Sequence, residues 1–490
     1  MKQNDAMNLE TLTRDLTPIQ LVGELDKTVT QLTFDSRLAG PGTLFVAQKG
    51  TKSDGHAYLE DVASKGAVAV VCEQLPATLH PEVTYLQVTN SNRALGLLAC
   101  AWYGHPSSKM TLVGVTGTNG KTTIATLLYE LYRKLGYKAG LLSTVCNYID
   151  ATQIKATHTT PDALAINELL AAMVDAGCTH AFMEVSSHAI DQQRIAGLHF
   201  AGGIFTNITR DHLDYHLTFD NYLKAKKAFF DTLPSTAFAL INADDKNGRI
   251  MVQNCKATIK DYSTQRMADF KAKVLENHFE GMQLSINQRE VAVQFIGRFN
   301  VSNLLAIYGA ACMLGEDPET ILLVLSTLKP VSGRLEFMRS PTGFLAIVDY
   351  AHTPDALKNV LVTLNELVEG QGRIITVVGA GGNRDKGKRP LMAKEALAGS
   401  QLVILTSDNP RFEDPLTILA DMQEGVSVVD RKRVLSQVDR KEAIRTACLM
   451  ATPGDVILVA GKGHEDYQEI QGVKHPFDDK QVIADVYATL

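Results

Sequence analysis

The chain has 490 residues, of which 45% are hydrophobic and 21% charged, with a formal net charge of −6. That length exceeds one ordinary core and implies about three domains in a soluble globular protein. The mild acidity gives no reason to expect the basic stripe of a nucleic-acid binder, and no run reaches the roughly 18 apolar residues of a membrane helix.

The first 18 residues are polar and carry Glu10, Arg14 and Asp15, so a signal-peptide core is missing. Residues 1–107 read as a small α/β unit. The runs 43–47 and 67–72 suit strands, and 92–103 suits a helix ended by Gly104-His105-Pro106. The segment Gly-His-Pro-Ser-Ser sets a boundary there, and a second unit spans 108–333. It opens with a short apolar strand at 111–115, a glycine loop, and a helix whose Ile124, Leu127, Leu128, Leu131 and Leu135 recur at helical spacing before Gly136. Further β/α units include strands at 181–184 and 237–242. A boundary near Lys329-Pro330 precedes a third unit, 334–490, where strands at 345–349, 373–378, 402–406 and 456–459 alternate with helical stretches. That alternation predicts a doubly wound sheet whose ligands bind beyond the carboxyl ends of the strands. The seven cysteines are scattered with no Cys-x-x-Cys, which fits reduced, mostly buried thiols in a cytoplasm.

The glycine loop Gly117-Thr118-Asn119-Gly120-Lys121-Thr122-Thr123 has the parts of a phosphate cradle. Small residues let backbone N–H groups face phosphate oxygens, a helix N-terminus lies behind, Lys121 reaches the terminal phosphates and Thr122 offers a hydroxyl to Mg²⁺. The strict G-x-x-x-x-G-K-[ST] spacing is not met, because Val115 stands where its first glycine belongs. Glu184 ends an apolar run, where a carboxylate can face a nucleotide and its Mg²⁺. His212 in Arg210-Asp-His-Leu-Asp-Tyr-His216 can complete such a site or serve as a structural histidine. Gly379-Ala-Gly-Gly382, followed by a polar, basic stretch to Arg389, reads as an anion-binding loop rather than a dinucleotide fingerprint. For Asp408-Asn409-Pro410-Arg411 the residues alone allow two readings: a turn, or a site whose one fixed guanidinium docks a carboxylate.

Taken in order, the glycine loop, Met183-Glu-Val-Ser-Ser-His188, the run from Phe205 to His216, Asp349-Tyr-Ala-His-Thr-Pro-Asp355, Asp408 to Arg411 and Gly461-Lys-Gly-His-Glu465 resemble the Mur ligase family. The resemblance extends from about Asp35 to the C-terminus. It implies an α/β protein of three domains: a small N-terminal α/β domain (1–107) for a UDP-sugar, a central P-loop ATPase-like domain (108–333), and a C-terminal Rossmann-like doubly wound domain (334–490) for an incoming amino acid. The implied activity is ATP-dependent ligation of meso-diaminopimelate to UDP-N-acetylmuramoyl-L-alanyl-D-glutamate through an acyl phosphate, with Mg²⁺. The implied partners are these small molecules, with no nucleic acid and no membrane, and a monomer is expected.

By motif, Phe34, Ser36 and Thr51-Lys52-Ser53 fall at the uridine diphosphate, and Thr159, Thr160, Ser186, Gln192 and Arg194 at the muramoyl-peptide. His158 stands where the family often has Asn. Asn300 and Asn303 match the adenine side, and Arg334 and Asp349 the ribose and phosphate side. Lys121, Glu184, His212 and Lys226 match the catalytic group, with Thr122, Glu184, His212 and Lys226 at the metal and Lys226 carbamylated. Arg389, Asp408, Asn409, Pro410, Arg411, Gly461 and Glu465 match the diaminopimelate contacts. A lysine-adding Mur ligase would give Arg411 no purpose, and a folylpolyglutamate synthase none to the N-terminal unit. A nucleotide-dependent switch that never ligates stays open as a non-enzymatic alternative.

Overall fold

Three separate stretches of chain each build their own sheet, and the carboxyl ends of two of these sheets face one another. The computed structural model describes residues 6–50, 53–156, 158–368 and 370–490; Thr51 and Lys52, expected at the uridine diphosphate, lie outside the described residues. In the first stretch the strand order is Gln20–Val22, Thr84–Gln87, Ala69–Cys72, Thr43–Val46, Gln31–Thr33, parallel except at the Gln20–Val22 edge. Thr43–Val46 and Ala69–Cys72 are buried along their whole length, as expected of parallel strands covered on both faces. The helix Ser91–Trp102 supplies one cover through Leu95, Leu98 and Ala99, and the Asn90 side chain caps it on Arg93 N. That helix also rests on the helix Ala163–Asp175 of the second stretch, with Ala163 in the shared core.

The second sheet has eleven strands. Its centre is the parallel set Ala139–Leu142, His180–Glu184, Thr111–Thr116, Gly202–Phe205, Phe238–Asn242 and Thr258–Ser263. Thr111–Thr116 lies between two neighbours, so the loop that follows it leaves from the middle of the sheet. The helix after that loop, Lys121–Lys134, buries Ile124, Leu127, Leu128 and Leu131. It ends as its sequence predicts: Gly136 takes φ +95°, and the N–H groups of Gly136 and Tyr137 return to the Arg133 and Tyr132 carbonyls. The sheet departs from simple β/α repetition at both edges. A hairpin, Cys146–Ile149 with Thr152–Lys155, closes one side, and the antiparallel meander Phe270–His278, Gly281–Ile286, Arg289–Val293 closes the other.

The third sheet runs Glu336–Arg339, Leu345–Asp349, Val456–Ala460, Ile374–Ala380, Leu402–Ser407, Val434–Ser436, parallel apart from its first strand. Helices Pro354–Val368, Lys388–Gly399 and Pro415–Gln423 share one apolar core with it, and Arg440–Met450 and Asp479–Tyr487 share another on the opposite face. This is the doubly wound arrangement. All seven cysteines are free thiols. Among the described residues no helix is long and apolar enough to cross a membrane.

Candidate active site

The carboxyl ends of the second and third sheets enclose a cleft of about 920 Å³, lined by the glycine loop on one side and by Asp408, Asn409, Arg411, Gly461 and Glu465 on the other. The two walls also touch directly: Asn119 Nδ2 donates to Asp355 Oδ2 at 3.1 Å, and Arg334 Nη2 to Thr122 Oγ1 at 3.3 Å.

The loop needs its glycines for close approach. A Cβ at Gly117 would overlap the Thr206 hydroxyl, and one at Gly120, where φ is +89°, would sit 2.6 Å from Asn303 Oδ1. No side chain caps the helix Lys121–Lys134, so its first turn opens onto the cleft. Asn119 N is held by Asn207 Oδ1 at 2.9 Å and Thr206 Oγ1 donates to Asn119 O at 2.6 Å, which fixes the loop's path. Lys121 Nζ folds back onto the Gly117 and Thr118 carbonyls (3.1 and 2.9 Å). Its burial lowers the ammonium pKa despite the nearby Glu184 and Asp211 carboxylates.

Glu184 ends its strand with the carboxylate buried against the cleft. Oε1 accepts from Thr144 N at 2.7 Å, while Oε2 is buried with no hydrogen-bond partner. His212 faces the same space in a left-handed backbone (φ +54°), and burial lowers its imidazole pKa although Asp211 acts to raise it, which favours the neutral ring. For Asp211 burial acts to raise the pKa, but His212, Lys388 and His352 outweigh it and keep the carboxylate ionised. Among the described residues no group of three or more His, Cys, Asp or Glu is arranged to hold a metal ion. An orphaned carboxylate oxygen, a neutral imidazole and the Thr122 hydroxyl fit Mg²⁺, which takes few protein ligands and completes its shell with phosphate and water. Lys226 lies behind the glycine loop, outside the cleft lining: it is buried, Nζ donates to Gly117 O at 2.7 Å and sits 4.8 Å from the Tyr222 ring centroid. Burial, and then Lys121, hold its pKa well below the lysine range.

On the side toward the first sheet, Thr160 Oγ1 donates to Glu184 O and accepts from Ser186 N (2.8 and 3.1 Å), and Thr144 Oγ1 donates to Thr159 Oγ1 at 3.0 Å. Arg194 is aimed by Thr160 O and Gln192 Oε1, and Gln192 in turn is held by the Tyr215 hydroxyl. Arg194, Ser186 and His158 line the cleft, and Gln192 stands one contact behind it. On the other flank Asn303 Nδ2 donates to Asn300 Oδ1 and Asn300 Nδ2 to Ile296 O, leaving both amides at the cleft surface. Arg334 lies over the Tyr350 ring at 4.5 Å. Asp349 accepts from Leu335 N and Ala351 N, both at 2.8 Å, and its burial raises its pKa.

In the third sheet Arg411 takes a left-handed backbone (φ +53°). Its Nη1 donates to Gly382 O at 2.9 Å and its Nε lies 3.3 Å from Glu469 Oε2. The free end of the guanidinium, formed by the remaining Nη hydrogens, suits a carboxylate approaching end-on. Pro410 holds the turn without lining the cleft. Arg389 lies outside the cleft lining. Its side chain is fully buried behind the wall, paired with Glu413 Oε1 at 2.8 Å and Asp421 Oδ2 at 2.7 Å, and it donates to Gly381 O. In this arrangement it supports the Gly379–Gly382 loop. Helical spacing carries the reason: Arg389, Met392, Ala393, Ala396 and Leu397 form the buried stripe of their helix. Sequence reasoning singled out the segments but gave no individual role to Tyr350, His352, Lys388 and Arg384, which line the cleft, or to Lys462 behind it. Phe34, Ser36 and Ser53 are not brought to this cleft; Phe34 packs on the core of the first sheet, and Ser36 O accepts from Lys65 Nζ.

The chain matches three family models: "Mur ligase family, catalytic domain" over residues 28–103, "Mur ligase middle domain" over 115–311, and "Mur ligase, glutamate ligase domain" over 333–463. Proteins named UDP-N-acetylmuramoyl-L-alanyl-D-glutamate–2,6-diaminopimelate ligase from Phocaeicola vulgatus and Bacteroides fragilis are 61% and 59% identical to it. These alignments cover 98% of this chain and 100% and 99% of theirs. A solved structure bearing the same name is 32% identical, with a TM-score of 0.69 over 99% of both chains. The MurF ligase of Thermotoga maritima in complex with ADP, 19% identical with a TM-score of 0.62 over 94% of this chain and 97% of its own, shares the fold.

Proposed function

The chain belongs to the Mur ligase family, and from that premise we propose that it is the ATP-dependent ligase joining meso-diaminopimelate to the D-glutamyl carboxylate of UDP-N-acetylmuramoyl-L-alanyl-D-glutamate in peptidoglycan precursor synthesis. The observation that carries the reading is one cleft with a phosphate cradle at Lys121 on one wall and a carboxylate-ready guanidinium, Arg411, on the other. The names of relatives near 60% identity supply the substrate.

A carboxylate is a poor acyl donor, so ATP first phosphorylates it, and the acyl phosphate is then attacked by the amine with loss of phosphate. The first step brings two anions together. Lys121 and the open helix N-terminus lower that repulsion and stabilise the phosphoryl group in flight. Thr122, Glu184, His212 and a carbamylated Lys226 would hold Mg²⁺, which when bound neutralises phosphate charge. The neutral amine that reacts with CO₂ is the form burial favours at Lys226. Thr159, Thr160, Ser186 and Arg194 face the muramoyl-peptide, Asn300 and Asn303 the adenine, and Arg334 and Asp349 the ribose and phosphates. Phe34, Ser36 and residues 51–53 hold the uridine diphosphate in the first unit. The units 1–107, 108–333 and 334–490 divide these tasks, and the enzyme works in the cytoplasm as a monomer.

The test is a panel of amino acids supplied with ATP, Mg²⁺ and the UDP-muramoyl-dipeptide, with product read by mass. Product with diaminopimelate and essentially none with lysine supports the assignment. Preference for lysine rejects the substrate, and ATP turnover without any acceptor-dependent product rejects the ligase.

A further inference from the structure

Asp408 and Glu465 bring two carboxylates to the amino-acid end of the cleft, and the cation that answers them stands behind the wall. Lys462 is completely buried. Its Nζ lies 3.0 Å from Glu465 Oε2, 3.2 Å from Asn409 Oδ1 and 3.8 Å from Asp408 Oδ1. The other cations nearby have contacts of their own. Arg440 beneath the pocket is bound to Asp479 by contacts of 2.8 and 2.7 Å, and Arg411 faces Glu469. Arg334 lies over the Tyr350 ring, and Lys474 over the Tyr467 ring at 4.0 Å.

An ammonium only donates, so Asn409 must turn its oxygen toward Lys462, and Glu469 N donates to that same oxygen at 2.9 Å. The amide is thereby fixed, and its Nδ2 donates to Glu465 Oε2 at 2.8 Å. Lys462 and Asn409 thus both use Oε2 of Glu465. Oε1 is left with only the Tyr350 hydroxyl at 3.5 Å, and Asp408 Oδ1 is buried with no hydrogen-bond partner. Asp408, Glu465 and Arg411 all line the cleft, a set that matches an ammonium and a carboxylate on one carbon.

We propose that Lys462 is a positioning residue for the incoming amino acid: it orients Asn409 and Glu465, so that the pocket presents the carboxylates of Asp408 and Glu465 to the substrate ammonium. The proposal rests on the amino-acid site of the function proposed above. Without Lys462 the Asn409 amide and the Glu465 carboxylate lose the buried donor that fixes them.

The experiment compares the full-length chain with Lys462→Met, which removes charge and hydrogen bonds, and Lys462→Gln, which keeps a donor for Asn409. For whichever amino acid the native enzyme accepts in the panel, Lys462→Met should raise KM about 30-fold or more, as when one partner of a buried charge pair is removed. KM for ATP and for the UDP-substrate should stay at native values. Lys462→Gln should show a smaller rise in KM. Folded variants with native KM, or an equal loss toward all three substrates, overturn the proposal. A structure of the native enzyme with its amino acid bound decides the matter without a variant. The substrate ammonium on Glu465 and Asp408, with Lys462 still on Asn409, supports the role, and Lys462 turned onto the substrate refutes it. Acceptance of lysine in place of diaminopimelate would reject the substrate assignment yet leave the effect of Lys462 readable with lysine.

Discussion

Replacing Arg411 by methionine keeps most of the side chain's apolar stem and removes only the guanidinium. The left-handed backbone at this position strains either residue alike, so the fold is perturbed little. In the native chain Nη1 is committed to Gly382 O and Nε to Glu469, which aims the free Nη hydrogens into the cleft. A substrate carboxylate docked there loses its partner in the variant. Truncating one side of a hydrogen-bonded charge pair costs about 2–5 kcal/mol, or about 30- to 4,000-fold in kcat/KM. The side chain is 22% exposed, so solvent weakens the pair and the lower part of that range, about 10²-fold, is expected. Lysine lacks the carboxylate that Arg411 would bind, and the native enzyme should disfavour it by about 10⁴-fold, as sites built around a buried polar partner do. The assay is acceptor-dependent phosphate release with diaminopimelate and with lysine, alongside ADP affinity and Tm. A variant within about threefold of native for diaminopimelate, with ADP binding and Tm intact, refutes this account of Arg411.

Lys121→Ala should slow ligation by about 10²–10³ while Tm stays at the native value, because Nζ contacts only carbonyls of its own loop; near-native phosphate release would remove Lys121 from the mechanism. Lys226 should carry a CO₂-derived carbamate, seen as a ¹³C signal after incubation with ¹³C-bicarbonate and absent in Lys226→Ala. A bare amine in the active, ligand-bound enzyme rejects it. Arg389 holds Glu413 down to about 2, below the ordinary carboxyl value of 4.5. A depressed carboxyl stabilises the fold above its ordinary value and loses that contribution as pH falls from 4.5 toward about 2. Glu413→Gln should flatten the fall of the urea midpoint across that window, and an unchanged acid limb would count against the pairing.

The parts of the fold legible in sequence are those where a local pattern has one structural meaning. The apolar run at 111–115, the glycines after it and the 3.6-residue period of the next helix led directly to the strand, loop and helix observed. The meander from Phe270 to Val293 escaped because its first strand, Phe270–His278, is largely exposed and polar, which gives no continuous apolar signal. Asp408 to Arg411 left turn and ligand site open, and the structure shows a bend at Asp408 leading into a turn closed from Glu413 N to Pro410 O, with an arginine that also reaches the cleft. Arg389 and Lys462 mark the opposite limit. Both are cations in motif segments, and residue type alone suggests contact with an anionic substrate. Each is instead turned inward onto carboxylates contributed by other segments, Glu413 and Asp421 for one and Asp408 and Glu465 for the other. The buried stripe of the helix after Gly387 could have found Arg389. No local periodicity surrounds Lys462.

The hairpin Tyr467–Ile470 with Val473–Pro476 is joined to the Asp408–Arg411 turn along its length. Arg411 N donates to Glu469 O at 3.0 Å, Gln471 N to Arg411 O at 2.7 Å, and Gln468 Nε2 to Asp408 O at 2.7 Å. The two segments, far apart in the chain, therefore form one inheritable unit. A tetrapeptide grafted into a relative with another acceptor would lack the main-chain partners that keep Arg411 in its left-handed conformation, and its side chain would swing away from the cleft. Exchange of acceptor specificity between such enzymes requires turn and hairpin to travel together, so drift in either segment is constrained by the other.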